Sequence, residues 1–264
     1  MRIPRQSAAG ADGPRDRRGA RFLRRRERTR CGGRTVRLLA VDTSTAACSV
    51  ALALDEEILE RHHVAPREHT RLVLPMVAEL LAEGGIALGD LDALVLGRGP
   101  GGFTGLRIAA GVVQGLAFSA DLPVVRISTL AMLAQPWIEA SHEAVIAALD
   151  ARMGELYWGA FRRDGQGLAT AAGDEAVLPP AEAQTPDAGD WVGAGPGFSA
   201  YADVLAGLGN VNVLDCESLP RARYALPLAA RDYAAGLAVP AEEAQPVYLR
   251  NRVAQTSAER GETR

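Results

Sequence analysis

The order of hydrophobic patterns between residues 38 and 127 narrows the folds open to this 264-residue chain more than any other property of its sequence. Three strand-like apolar runs separated by short polar breaks come first, and helices and strands alternate after them. The apolar runs predict strands at 38–41, 47–54, 58–64, 91–96 and 123–127. The longer apolar stretches predict helices at 68–83 and 104–119. This order favours a five-stranded mixed sheet with helices, which opens with an antiparallel meander.

The first predicted helix has an amphipathic pattern with a clear end. Gly84 and Gly85 follow its last apolar residue and are expected to stop it, while Pro75 is expected to displace or kink its first turn. Its apolar residues recur at the i, i+3, i+4 spacing of one helix face, and they are Leu72, Val73, Met76, Val77, Leu80 and Leu81.

The second half of the chain partly repeats the first. Strand-like runs at 143–149 and 155–163 predict a hairpin, and a short strand at 191–194 and a last helix at 224–237 follow. We therefore predict an α/β chain with a duplicated ribonuclease H-like fold of the actin and sugar-kinase superfamily, its C-terminal lobe reduced. The expected divisions are a disordered extension at 1–35, an N-terminal lobe at 36–135, a C-terminal lobe at 136–253 and a disordered tail at 254–264.

Charge separates the first residues from the rest of the chain. Residues 1–34 hold 12 arginines against three acids, a net of +9, which leaves 17 arginines against 29 acids, a net of −12, for the remainder. The head has three readings: a disordered basic arm for nucleic acid, an organellar transit peptide, or translated sequence upstream of the true start. We favour the last of these, with the mature protein starting at Val36.

All 29 basic residues are arginine, and the absence of lysine excludes several kinds of site. A Walker A phosphate loop, a Schiff-base enzyme and a protein kinase each need that residue. Cys31, Cys48 and Cys216 have no short spacing, which argues against a zinc ribbon or a disulfide framework and for a reducing compartment, the cytoplasm by default. No apolar run approaches the roughly 20 residues of a membrane-spanning helix.

Asp42, Thr43, Ser44 and Thr45 follow the first predicted strand and form the first candidate site. A carboxylate at a strand end, followed by hydroxyl residues, is the kind of loop that holds a nucleotide phosphate and its hydrated metal. The same residue types are common in turns that satisfy their own backbone. Taken alone, these four residues favour a plain hairpin turn over a degenerate phosphate loop.

A glycine-rich segment at 97–107 is the second candidate. Its glycines match the dinucleotide fingerprint, but the acid that a Rossmann turn needs at the end of the next strand is missing, so we reject that interpretation. We predict that Thr104 caps the following helix and that the glycines allow close backbone approach, with anion binding still possible. The candidate loop residues are Gly99, Gly101, Gly102, Thr104 and Gly105.

The sequence contains no complete catalytic set that we can identify. The four histidines form no metalloprotease motif, and adjacent His62 and His63 point to opposite faces of a strand, so they cannot chelate one ion together. We expect His69 to be a solvated or capping residue. No metal site is predicted.

The second predicted helix is unusually apolar. Between Gly105 and Phe118 only Arg107 and Gln114 are polar, and many of the other residues are small. A helix that is apolar on nearly all sides is expected to be buried on nearly all sides. The partner could be the chain's own sheet or the helices of another subunit, and these facts favour neither.

Several segments of the chain resemble the TsaB family, formerly called YeaZ. The resemblance spans residues 36–253. Its motifs are LAVDTST at 39–45, HTRL at 69–72 with Leu74-Pro75, GPGGFTGLRI at 99–108, DARMGELYW at 150–158 and PVYLR at 246–250. One departure is Met153, which stands where the family usually has lysine.

The resemblance implies a scaffold subunit without catalytic residues of its own. Such a subunit serves bacterial synthesis of threonylcarbamoyladenosine in tRNA: it pairs with the catalytic paralogue TsaD, supports binding of the ATPase TsaE, and reaches tRNA only through the complex. TsaD carries an iron-binding histidine pair where this chain has residues 128–134 without histidine. The resemblance therefore implies no metal or cofactor for this chain, ATP and magnesium being bound through its partners. The alternative is an autonomous ATP-binding or glycoprotease-like enzyme.

The family's subunits pair through their two N-terminal helices, and isolated subunits self-associate through the same face. By resemblance, we expect partner contacts at Arg71, Leu74, Met76, Val77, Leu106, Arg107, Ala110 and Gln114.

Overall fold

The computed structural model describes residues 36–55 and 57–250. Three predictions concern residues outside these ranges. They are the disordered extension at 1–35, the start of the mature protein at Val36, which depends on the residues before it, and the disordered tail at 254–264. The strands and helices of the first half are β1 (Leu38–Asp42), β2 (Ala47–Leu54), β3 (Glu57–Val64), α1 (His69–Glu83), β4 (Ala93–Gly99), α2 (Phe103–Ala120), β5 (Val124–Ser128) and α3 (Thr129–Glu139). Those of the second half are β6 (Ala144–Arg152), β7 (Glu155–Arg163), β8 (Ala169–Ala171), β9 (Ala176–Leu178), β10 (Trp191–Ala194), α4 (Gly197–Ala200), α5 (Ala202–Leu205), β11 (Val211–Asp215) and α6 (Ala225–Ala234).

The first sheet has the strand order β3-β2-β1-β4-β5. Strands β1, β2 and β3 pair antiparallel, and β4 and β5 join β1 in parallel. This confirms the predicted meander and mixed sheet. Strand β1 is buried along its whole length, as expected for a central strand covered on both faces.

Helices cover the first sheet on both faces. Because successive side chains of a strand point to opposite sides, Leu39 and Val41 pack against α1 and α2, whereas Leu38 and Ala40 pack against α3 and α6. Helix α1 begins at His69 and continues through Pro75. Pro75 therefore does not displace its first turn. Its C-cap is Gly84, as predicted.

The second sheet has the order β11-β10-β6-β7-β8, and β9 also pairs with β7. The predicted hairpin is β6–β7, which pairs antiparallel with a bulge between Asp150 and Arg152. At its tip Arg152, Met153 and Gly154 all have positive φ, at 63°, 57° and 78°. A separate hydrophobic cluster around Trp158, Trp191 and Phe198 lies on this sheet.

The predicted division of the chain at residues 135 and 136 falls inside α3, a helix that the sequence analysis did not identify. Helix α6 was predicted to belong to the C-terminal lobe. In the structure it packs on β1 and β5 of the first sheet. Farther along, Val239 bridges Val124, and the Val247 amide donates to the Arg98 carbonyl at 2.8 Å. An amphipathic stripe shows that a helix face is buried but does not show which sheet it covers, so this return was not visible in the sequence.

Helix α2 is long and apolar enough, by length and composition, to cross a membrane, the one such helix within the described residues. In the structure it packs on the first sheet through Ala109, Val113 and Ala117. Core helices of soluble proteins meet the same criterion, so the feature is weak support for a membrane segment.

Candidate functional site

The two candidate segments of the sequence meet in space. The Asp42–Thr45 turn follows β1 and the glycine-rich segment follows β4, and these are neighbouring parallel strands whose carboxyl ends share one edge of the sheet. The Gly102 amide donates to the Ser44 carbonyl at 2.7 Å, and the Thr43 hydroxyl donates to the Gly105 carbonyl at 2.7 Å. The glycine-rich segment therefore packs directly on the turn.

The glycines of this segment are required by that packing. A Cβ at Gly97 would lie 2.1 Å from Asp42 Oδ2, one at Gly101 would lie 2.4 Å from the Ser44 carbonyl oxygen, and one at Gly105 would lie 1.9 Å from the Thr43 carbonyl oxygen. The predicted close backbone approach is thus present, but the approaching group is the chain's own turn.

The turn itself lies in the interior. Asp42, Thr43 and Ser44 are buried and Thr45 is half-buried, so the first three do not form an open loop at the surface. Their hydroxyl and carbonyl groups bond to one another and to the glycine-rich segment. This is the arrangement of a turn that satisfies its own backbone.

The Asp42 carboxylate is only 1% exposed. Its Oδ1 accepts from the Ser44 amide at 3.1 Å and from the Ser44 hydroxyl at 2.8 Å, and its Oδ2 accepts from the Thr129 hydroxyl at 3.5 Å. Burial raises the pKa of Asp42 to about 6, because desolvation outweighs the hydrogen bonds from Ser44 and Thr129, which favour the charged form.

Two predictions about helix starts were wrong. His69 is 8% exposed rather than solvated, and its Nε2 has no hydrogen-bond partner among the described residues. It begins α1 on the side that faces the core. Thr104 is not the cap of α2: the N-cap is Gly102, whose extended backbone starts the helix without a side-chain bond, and Thr104 is exposed.

A polar cluster that the sequence analysis missed lies beside the turn. Ser128 ends β5 and caps α3, since its hydroxyl oxygen accepts from the Leu130 and Ala131 amides at 3.1 and 3.3 Å. The same hydroxyl donates to Glu175, whose carboxylate also accepts from Arg98 at 3.1 Å. Glu175 comes from the segment between β8 and β9, so the cluster joins the two sheets. A serine between a strand and a helix was its one local signal.

The predicted partner contacts divide into two groups. Arg71, Leu74 and Arg107 are exposed, and Gln114 is half-buried with its amide nitrogen donating to the Ala244 carbonyl at 3.2 Å. The other four are buried inside the chain itself and cannot be outward contacts: Met76, Val77, Leu106 and Ala110.

The chain's own sheet does not bury helix α2 on nearly all sides, so the prediction of nearly complete burial now depends on the helices of another subunit. The outward face of α2 carries Gly111, Gly115 and Phe118, and Phe118 is 77% exposed. These residues were not among the predicted contacts. Helical periodicity could have grouped them, but every position of this helix is so apolar that hydrophobicity does not distinguish the inward from the outward face.

The described residues offer little for direct chemistry. Within residues 36–55 and 57–250, no group of three or more His, Cys, Asp or Glu side chains converges as a metal site would require. The buried Asp42 carboxylate and the Ser128–Glu175–Arg98 cluster are both engaged in contacts within the chain.

Comparison with known proteins identifies the family. The chain is 46% identical over 224 residues to the Escherichia coli K12 protein "tRNA threonylcarbamoyladenosine biosynthesis protein TsaB", a match that covers 83% of this chain and 96% of the relative. The chain belongs to the TsaB family. TsaB of Haemophilus influenzae is 42% identical, with 82% of this chain and 94% of the relative covered. This membership places the chain in tRNA threonylcarbamoyladenosine biosynthesis.

Further matches agree with the TsaB assignment. The family model "TsaD: tRNA N6-adenosine threonylcarbamoyltransferase" matches residues 54–193. The solved structure of YeaZ from Pseudomonas aeruginosa is 50% identical, has a TM-score of 0.77, and covers 81% of this chain and all of the relative. A second Pseudomonas aeruginosa structure, 49% identical with the same TM-score, is described as similar to "peptidase YEAZ". The duplicated fold of the actin and sugar-kinase superfamily, predicted from the sequence, is confirmed.

Proposed function

We propose that this TsaB-family chain is a non-catalytic scaffold that heterodimerises with a catalytic TsaD paralogue in tRNA threonylcarbamoyladenosine synthesis. The observation that carries the proposal is the exposed apolar surface of the two N-terminal helices. We call it the helix face and define it by Leu74, Gly111, Gly115 and Phe118. The sequence resemblance points to the same two helices as the pairing elements of the family.

The helix face has the composition of a helix-pairing surface. Gly111 and Gly115 are one turn apart, and a Cβ at either would meet no atom within 4 Å. Small residues at this spacing leave room for a second helix axis to come close, while Leu74 and Phe118 supply exposed apolar area. The same face can serve self-association when TsaD is absent.

The non-catalytic part of the proposal is supported by the contacts of the candidate site. The turn at Asp42 is packed under the glycine-rich segment, and the carboxylate of Glu175 lies between Ser128 and Arg98. These side chains hold the chain's own structure. In this proposal ATP and magnesium are bound through the partners, TsaE completes the assembly, and the complex acts in the cytoplasm.

The test is co-expression of the chain with the TsaD of its own organism, followed by co-purification. Gly111→Arg places a long charged side chain on the helix face and is expected to abolish the complex, because the charge would be desolvated without a partner. The matched control is Gly165→Arg, at another exposed glycine with no atom within 4 Å of its Cβ position. Ala110 is unsuitable, since it is 6% exposed and its replacement would test folding.

An intact complex with Gly111→Arg would overturn the assignment of the helix face. A tRNA-modification assay with TsaD and TsaE, with and without this chain, tests the scaffold role itself. The alternative function is an autonomous ATP-binding or glycoprotease-like enzyme, which the word peptidase in the description of a 49% identical relative favours. Turnover of ATP or of a peptide by the isolated chain would establish that alternative and refute the scaffold.

A further inference from the structure

An exposed cluster of two aromatic rings and a guanidinium lies at the amino end of α2. The Arg107 guanidinium carbon lies 3.7 Å from the centroid of the Phe103 ring, and Arg107 Nε donates to the Tyr248 hydroxyl at 3.2 Å. The rings of Phe103 and Tyr248 are 5.7 Å apart and tilted by 43°. Each of these two residues is 44% exposed. Contacts within the chain therefore order the cluster while leaving ring surface open to solvent.

A second arginine, Arg152, is joined to this cluster through the segment that carries Tyr248. The Arg250 guanidinium donates to the Arg152 carbonyl at 3.1 Å, so the segment that carries Tyr248 runs to the tip of the β6–β7 hairpin. Tyr248 and Arg250 are two positions apart, which corresponds to about 7 Å of extended chain. The Arg152 side chain is 85% exposed at that tip. We call Phe103, Arg107, Tyr248 and Arg152 together the aromatic corner.

The arginines of the aromatic corner are opposite in sign to the net charge of residues 35–264. After residue 34 the chain carries a net charge of −12, from 17 arginines and 29 acids. Among the described residues, no carboxylate forms an ion pair with Arg107, which contacts the two rings instead. Within the described part of the chain, Arg152 forms an ion pair with Asp150, two positions earlier, and most of the Arg152 side chain remains in water.

We propose that the aromatic corner binds an unpaired nucleotide of the tRNA substrate. A base can stack on the open surface of Phe103 or Tyr248, because every base has a π-face, and an exposed guanidinium can contact the adjoining phosphate. Single-stranded RNA is recognised by this combination of aromatic stacking and arginine. The proposal rests on the proposed function and deepens it: the scaffold touches RNA itself, whereas the sequence resemblance implied only an indirect route through the complex.

The aromatic corner and the apolar part of the helix face can be engaged together. Phe103 and Phe118 stand 15 residues apart on α2, which places them about 22 Å apart along the helix axis. The corner is therefore at one end of the helix and Phe118 at the other. A protein partner at the corner is the competing occupant, and the test below separates the two.

The experiment measures RNA binding by the full chain, alone and in its co-purified TsaD complex. The probes are a short fluorescein-labelled oligouridylate and the unmodified tRNA transcript, and the readout is fluorescence anisotropy over a range of salt concentrations. The variants are Arg107→Gln with Tyr248→Ala, and Arg152→Gln alone. The control is Arg162→Gln, which removes another half-exposed guanidinium that lies over an aromatic ring, 4.6 Å from the centroid of Trp191, on the second sheet.

The expected result is a loss of affinity of about tenfold or more for the double variant. A salt dependence weaker by about one phosphate contact is expected for Arg152→Gln. The control should bind RNA as the wild type does, and both the control and Arg152→Gln should retain TsaD. Unchanged RNA affinity in both corner variants would overturn the proposal. The proposal would also be overturned if the corner variants lost TsaD while the isolated variant chains kept their RNA affinity, because the corner would then be a protein contact. Failure of the wild-type chain to join TsaD would refute the proposed function. The RNA measurement on the isolated chain would still decide whether the aromatic corner binds RNA.

Discussion

Asp42 has the sequence context of a phosphate-binding loop, but its carboxylate is not exposed to a ligand. It ends β1 and is followed by hydroxyl residues, but it is almost fully buried and bonded to Ser44 and Thr129. Desolvation disfavours its charged form. A residue placed in this way contributes to stability in a manner that depends on pH.

Replacing Asp42 by asparagine should remove that pH dependence. The pKa of Asp42 is raised from 3.8 to about 6, so the folded chain keeps a proton that the unfolded chain has released. The contribution of Asp42 to wild-type stability should therefore fall as pH rises from about 4 to about 6, by up to about 3 kcal/mol. Asp42→Asn keeps an oxygen that can accept from Ser44 and has no charge to desolvate. Relative to the wild type, the variant should gain free energy of unfolding between pH 4 and pH 7.

Urea unfolding of both proteins at several pH values measures this difference, and the titration of all other carboxylates cancels in it. A difference that stays constant from pH 4 to pH 7 would mean that the Asp42 carboxylate is not desolvated as the structure describes.

At the scale of one element, α2 has glycines with opposite surroundings. Gly105 faces the Asp42 turn, and a Cβ there would lie 1.9 Å from the Thr43 carbonyl oxygen, a backbone atom. Gly111 lies on the outward face, where a Cβ would have nothing within 4 Å. The sequence presents both as small residues of one apolar helix, and only their neighbours distinguish them.

Alanine at these two positions should have effects of opposite sign. Gly105→Ala is expected to lower the free energy of unfolding by about 2 kcal/mol or more, because the clash forces the helix away from the turn. Gly111→Ala should raise it by up to about 1 kcal/mol, since alanine is the better helix former. Guanidinium unfolding curves of the two variants and the wild type provide the comparison. Equal effects of the two substitutions would contradict the packing of α2 on the turn.

At the scale of the whole molecule, the two sheets are joined by charged contacts between distant segments. Glu175 bonds to Ser128 and Arg98 across the sheets, and its side chain is largely buried. A second ion pair between distant residues, Arg221 with Glu60, attaches the segment before α6 to β3 and so acts within the first sheet. These contacts link residues between 47 and 161 positions apart in the chain.

Glu175→Gln should weaken the junction between the sheets. The variant leaves Arg98 without its carboxylate partner, and the expected loss is about 1–3 kcal/mol of unfolding free energy. The exposed Glu182→Gln is the control and should be neutral. Urea unfolding measures the loss, and hydrogen exchange at the amides of Leu130 and Ala131 shows whether the start of α3 loosens with it. A stable Glu175→Gln protein with unchanged exchange would show that the cluster does not hold the sheets together.

Much of the architecture was predictable because it depends on local patterns. The meander, the helix that ends at Gly84 and the β6–β7 hairpin all come from periodicity and turn residues. Helix α3 was missed because its eleven residues follow β5 without a break.

The candidate site was only half predictable. Both segments were identified from the sequence, but their mutual packing and the buried state of His69 were not. The cluster at Glu175 depends on a partner 77 residues away from Arg98. The outward position of Gly111 depends on how α2 is turned about its axis against the sheet. Ser128 alone gave a local signal for the cluster, whereas the pairing of Glu175 with Arg98 and the outward direction of Gly111 depend on tertiary packing.

By itself, the sequence determined the five strands of the first sheet, helices α1 and α2, the absence of lysine and the family. Those properties belong to residue types and to spacings of a few positions. Only the tertiary structure decided that the glycines serve the chain's own turn, that α6 returns to the first sheet, and that half of the predicted partner contacts are core residues. Those properties depend on which surfaces meet across long stretches of chain, and periodicity shows that a surface is buried without showing what buries it.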